Sequence, residues 1–170
     1  SLGKAADVKW YYLIGGLLKA GVAVKAVYQY DPTSNIWTPK ADLPQPRGAT
    51  GVAVLDGKIY VAGGLGYPDK NDLFAYNPTT NTWATKAPMP TARGGTSAGA
   101  AAGLVVSVGG EGPAGTYPQA EAYDPAAGRW RSLPASPAPR HGIGVAGVRG
   151  RIYVLLGGPT PGLSVSDVAL

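Results

Sequence analysis

Three arginines, Arg47, Arg93 and Arg140, stand 46 and 47 residues apart. A planar guanidinium grips a carboxylate through two parallel hydrogen bonds, so three of them at one period could ring an opening and hold an acidic ligand. The same recurrence suits a structural clasp made once per repeat. His141 follows Arg140 directly and is the sole histidine. One histidine without cysteine is a poor ligand set, so no metal or other cofactor is expected. Glu111 could serve as a general acid or base if it lies buried beside Arg93 or Arg140. Asp69, Asp72 and Glu121 are the other carboxylates of these segments. Tyr67 and Tyr117 could stack on a sugar or pack on a partner. No phosphate loop, nucleophile elbow or metal-binding run accompanies these residues, so no enzyme class built on those motifs has support.

The elements that must position these side chains repeat. Gly pairs begin at Gly15, Gly63, Gly109 and Gly157, in steps of 48, 46 and 48. Tyr30, Tyr76 and Tyr123 are 46 and 47 apart, as are Trp37, Trp83 and Trp130. Four landmarks sharing one period indicate a repeat architecture. Each tyrosine is followed by Asp-Pro or Asn-Pro, a turn opening. Three residues after each Pro stands Asn35, Asn81 or Gly128, the types that tolerate a left-handed backbone in a hairpin loop. Tyr and Trp therefore flank a β-hairpin and serve as its large apolar anchors. The spacing predicts burial of Trp37, Trp83 and Trp130 between or beneath units.

Each unit reads as four strands, a to d, in an antiparallel meander. In the most regular unit they are about 49–55, 58–62, 73–76 and 82–85, with Asp56-Gly57 as a two-residue hairpin turn. In the last unit strand b, about 151–156, carries one extra residue, which reads as a bulge, and strand c begins near Val165. Strand a is rich in Gly and Ala, which fits crowding around a central axis. Alternating strands place the b–c loops and d–a links on one face. The b–c loops differ in length and sequence while the scaffold is nearly constant, and such loops are where binding is expected. A partner is expected to contact 65–72 and 111–119 with the links 41–47, 87–93 and 133–140.

These residues, Gly63-Gly64, Tyr76, Trp83 and Arg93 with their counterparts, resemble the kelch-repeat family over nearly the whole chain. The resemblance implies an all-β, kelch-type β-propeller of four-stranded antiparallel blades. About 3.5 blades are present in one region spanning 1–170, at about 1–40, 47–87, 93–133 and 140–170. Closed propellers have 4–8 blades, so further blades are expected from the rest of a longer chain or from another copy. Some relatives are copper oxidases with a tyrosine–cysteine crosslink, a chemistry that a chain with no Cys cannot perform. Others are cofactor-free sugar-acid epimerases. The resemblance thus implies a non-catalytic binding module for a protein or glycan on the variable-loop face, with a carbohydrate-processing enzyme as the alternative.

Composition agrees with many short strands. Charged residues are 15% of the 170, with 26 Gly and 16 Pro. The net charge of +5 is scattered along the repeats and not clustered, so no nucleic-acid partner is expected. The apolar run from Trp10 to Leu18 is shorter than the roughly 20 residues of a membrane-spanning helix and aligns with strand b of the other units. The lack of cysteine does not set the compartment.

Overall fold

The computed structural model describes residues 10–65 and 71–162, and none of these lies in a helix. Tyr67, Asp69 and the strand expected from Val165 lie outside the described residues.

The first blade contributes three strands, β1 (Tyr11–Leu17), β2 (Ala23–Asp31) and β3 (Ile36–Lys40), paired in chain order. The second is complete: β4 (Gly51–Leu55), β5 (Lys58–Ala62), β6 (Leu73–Asn77) and β7 (Thr82–Lys86). The third is β8 (Ser97–Ala101), β9 (Leu104–Val108), β12 (Ala120–Asp124) and β13 (Arg129–Leu133). Its b–c loop folds into a two-stranded hairpin of β10 (Glu111–Gly112) and β11 (Gly115–Thr116). The fourth shows β14 (Gly144–Val148) and β15 (Arg151–Leu155). All ladders are antiparallel.

The small residues of strand a let neighbouring blades approach at the backbone. A Cβ on Gly147 would stand 1.8 Å from the Ala100 carbonyl oxygen, and one on Gly51 would stand 3.0 Å from the Ala98 Cβ. The turn residues behave as their types demand: Asn35 and Asn81 have φ of 58° and 55°, and Asp56 has 49°.

The apolar core lies between blades. Val27 and Leu43 of the first blade and its link pack on Ile59, Val61, Phe74 and Tyr76 of the second. Leu73, Ala75 and Met89 of the second pack on Val105 and Tyr123 of the third. Each tyrosine stands opposite its tryptophan in the ladder, with ring centroids 4.9 Å apart for Tyr76–Trp83 and 5.5 Å for Tyr123–Trp130. Burial pushes the Tyr76 phenol above its ordinary pKa, so it stays protonated and donates to Asn81 Oδ1 at 2.7 Å.

The tryptophans differ from the expectation of burial. Trp37 is exposed, and Trp83 and Trp130 are only half-buried. Strand d is the outermost of its blade, so its indole spans the rim and keeps one edge in water. The polar end is used: Trp83 Nε1–H donates to the Ala41 carbonyl at 2.8 Å, and Trp130 Nε1–H to that of Ala87 at 2.7 Å. Each indole thus ties its blade to the preceding link, and the tyrosine is the buried anchor.

The fourth blade carries no bulge in strand b. β15 has five residues, like β5 and β9. Leu156, with φ of 62°, takes the place that Gly63 and Gly109 hold at 63° and 59°. The motif is therefore Leu156-Gly157, and the apparent pair Gly157-Gly158 is displaced by one. A left-handed conformation costs a branched side chain about 1–2 kcal/mol, and Leu156 is exposed, so it recovers little by packing. Leu156→Gly should raise stability by about 0.5–1 kcal/mol after the entropy lost with Gly. Urea denaturation checks this, and a destabilised variant would contradict it.

Candidate functional site

Strand alternation brings the arginines, the b–c loops and the links to one face. There the arginines are internal: Arg47 and Arg93 are fully buried and Arg140 nearly so. Arg47 sits at the end of the link and reaches back over its own blade to Asp72, with further bonds to the Pro46 carbonyl at 2.9 Å and Gln45 Oε1 at 2.8 Å. Arg93 pairs with Glu121 at 2.5 Å, and both side chains are almost wholly removed from water. Arg93 also donates to the Thr91 carbonyl at 3.0 Å and to Ser107 Oγ at 3.2 Å. Thr91 Oγ1 donates to the second oxygen of Glu121 at 2.6 Å. Arg140 donates to the Leu156 carbonyl at 3.2 Å. These guanidiniums close each blade from within.

The arginine backbones join the blades. The Arg47 carbonyl accepts from Gly16 N–H at 2.8 Å, that of Arg93 from Gly64 at 3.0 Å, and that of Arg140 from Gly110 at 2.7 Å. This explains the first glycine of the pair. A Cβ on Gly109 would stand 2.5 Å from the Arg140 oxygen, and φ is +59° there. The pair is a mould for the carbonyl of the next blade.

A second series runs beside the first. The residue after each Gly pair meets the residue after each arginine. Leu17 lies over Gly48, and Leu65 lies over Gly94, where an added Cβ would stand 2.5 Å and 2.3 Å from the leucine side chain. At the third joint the partners are Glu111 and His141, with Oε2 and Nδ1 3.6 Å apart. Glu111 Oε2 also accepts from Gly162 N–H at 2.9 Å, and Thr116 Oγ1 donates to the Pro159 carbonyl at 2.8 Å. Glu111 is therefore engaged by the fourth blade, while Arg93 is neutralised by Glu121. The acid-and-arginine pocket that an epimerase-like reaction would use is not formed by these contacts. Among the described residues, no three of His, Cys, Asp and Glu gather as a metal set.

Tyr117 is half-buried with its ring against Gly112, whose added Cβ would fall 2.9 Å from the ring. It shapes the β10–β11 hairpin and leaves Pro113 and Ala114 exposed at the tip. A further group escaped sequence reasoning. Leu17, Leu18 and Val22 are exposed on the b–c loop of the first blade. That loop is ordered by Leu18 N–H to the Val22 carbonyl at 2.8 Å and Gly21 N–H to that of Leu18 at 2.9 Å. The signal was present: Leu18 stands where the other two b–c loops have Gly66 and Gly112.

A family model described as the KLHDC2/KLHL20/DRC7 Kelch-repeats domain matches residues 5–170. Kelch-like protein terF of Aspergillus terreus is 32% identical over 184 residues, covering 98% of this chain and 40% of that protein. Kelch-like protein 35 of Mus musculus is 42% identical over 53 residues, or 31% of this chain and 8% of that protein. The chain spans less than half the length of these curated relatives. The solved structure titled "Structure of YjhT" superposes with a TM-score of 0.77 at 24% identity, over 94% of this chain and 57% of that one. It shares the fold: antiparallel four-stranded blades arranged as part of a propeller. The repeated Gly mould, the arginine clasp and the Tyr–Trp hairpin, with a family match over nearly every residue, place this chain in the kelch-repeat family.

Proposed function

We propose that the chain is a non-catalytic binding module that takes a protein partner on the face of the variable b–c loops. One observation carries this reading: Leu17, Leu18 and Val22 form an exposed apolar knuckle on an ordered loop of that face. Apolar side chains on a rigid loop suit a protein interface, because their burial is favourable and little order has to be gained. The names of the kelch-like relatives are compatible with it. A glycan would call for an open aromatic platform, and Tyr117 is turned onto Gly112 instead. The contact surface extends over 111–119 and the links 41–47, 87–93 and 133–140. Tyr67 and Asp69 belong to the same variable segment by sequence.

A photo-crosslinker at position 18 should label a polypeptide partner, whereas one at Gly57, on the opposite face, should not. Leu18→Asp with Val22→Asp should weaken binding at least tenfold, about 1.4 kcal/mol. Binding that survives the double variant, labelling only from Gly57, or recovery of a glycan instead would refute the proposal.

A further inference from the structure

The third joint between blades differs in kind from the first two. Leu17 over Gly48 and Leu65 over Gly94 are apolar contacts without an ionisable group. In the same place the third joint carries two ionisable side chains. His141 Nδ1 and Glu111 Oε2 stand 3.6 Å apart, with side chains 10 and 18% exposed. That separation is longer than a hydrogen bond, so the contact works by charge. Its members belong to the third and fourth blades and meet within the chain.

The main chain holds both residues in place. Glu111 and Gly94 exchange two backbone hydrogen bonds, of 2.7 and 3.0 Å, and His141 and Gly158 exchange two, of 3.1 and 3.0 Å. Each residue is pinned to its own blade, and only the side chains bridge. The bridge has a second part. Glu111 Oε2 accepts from Gly162 N–H at 2.9 Å, and Thr116 Oγ1 donates to the Pro159 carbonyl at 2.8 Å. The carboxylate oxygen that faces the imidazole therefore also holds the b–c loop of the fourth blade against the β10–β11 hairpin of the third.

The neighbouring charges have other partners. Arg93 runs beside Gly110, where an added Cβ would stand 3.1 Å from its Cδ, and its charge is met by Glu121. Arg47, two residues before the Ala49 carbonyl that accepts from Gly95 N–H, is held by Asp72. Arg140 precedes His141 and turns to the Leu156 and Gly157 carbonyls. Segments 111–117 and 157–162 bring no ionisable side chain besides Glu111 and Tyr117. His141 is the sole histidine and cysteine is absent, so it is the one side chain here whose type changes charge between about pH 5 and 8.

We propose that Glu111 and His141 form a pH-operated latch between the variable loops of the third and fourth blades. A glutamate carboxylate is ionised throughout that range, whereas an imidazole is charged at its acid end and neutral at its alkaline end. The attraction is therefore present in acid and lost as the pH rises. In acid the imidazolium fixes the carboxylate where it accepts from Gly162, and the two loops form one surface. In alkali no imidazolium faces the carboxylate, and the loops part more often. Both loops lie on the face proposed above for a partner, yet the latch operates in the chain alone.

Water-exchange NMR of the Gly162 amide tests this, with the intrinsic exchange rate at each pH divided out. Protection should be about threefold higher near pH 5.5 than near pH 8, the worth of a partly exposed ion pair. The change should follow the titration of the His141 ring signals in the same samples. Glu111→Gln keeps an acceptor for Gly162 and removes the charge, so protection should become independent of pH. Glu111→Leu with His141→Gly rebuilds the Leu–Gly joint of the other blades and should abolish the change as well. Sheet amide signals confirm that each variant is folded. Wild-type protection that is flat with pH, or higher in alkali, would overturn the proposal. A pH change that survives in either variant would overturn it equally.

Discussion

Replacing Arg93 with Ala should lower stability by about 3–5 kcal/mol, the cost of leaving a buried charge without its partner. Glu121 has a side chain only 3% exposed and would keep its carboxylate inside the blade beside Thr91 alone. The Thr91 and Ser107 carbonyls would lose a donor as well. The denaturant midpoint should fall with little change in slope. Replacing both partners, Arg93→Met with Glu121→Leu, should cost less than Arg93→Ala, because no uncompensated charge remains. Arg47→Ala should also cost less, since the Asp72 side chain is 20% exposed and water can hold its charge. A loss under about 1 kcal/mol for Arg93→Ala would show that the ion pair is not an internal clasp.

Truncating Tyr76 to Ala should cost about 3–5 kcal/mol, the range for a large aromatic removed from a packed core. Its ring is fully buried, meets Tyr12 edge to face, lies 4.9 Å from Trp83 and gives its hydroxyl proton to Asn81. Trp83→Ala removes a half-exposed ring and one hydrogen bond to the preceding link, so its cost should be smaller. Trp37→Ala should change the stability of the chain least of the three, since that ring is half in water. Thermal and urea melts of the three variants give the order, and a Trp83 variant weaker than the Tyr76 variant would reverse the assignment of the anchor.

The period, the strand order and several strand limits were legible because they rest on residues with few conformational alternatives. Asn35, Asn81 and Asp56 mark turns whose φ values are those their types favour, and strand 58–62 agrees end to end with the structure. What was not legible depended on partners brought in from elsewhere in the fold. The carboxylate facing each arginine has no fixed place: Asp72 precedes its tyrosine by four residues and Glu121 by two. A shift of two keeps the side chain on the same face of a strand, so the clasp survives while the sequence landmark is lost. Leu156 hid the true left-handed position because a Gly pair happened to follow it. The tryptophans misled because an indole can be an apolar body and a rim hydrogen-bond donor at once. The β10–β11 hairpin was missed because two residues per strand leave no alternation to read.

The joint between blades has an evolutionary consequence. The arginine side chain closes its own blade, and only its main-chain carbonyl reaches the Gly mould of the neighbour. The main chain is the same whatever residues flank it, so at this contact a duplicated or recombined blade meets any other without compensating substitutions. Lineages can therefore add or delete whole blades at little cost to this contact. The side-chain contact beside it does vary within this one chain, where Glu111–His141 stands in place of Leu–Gly.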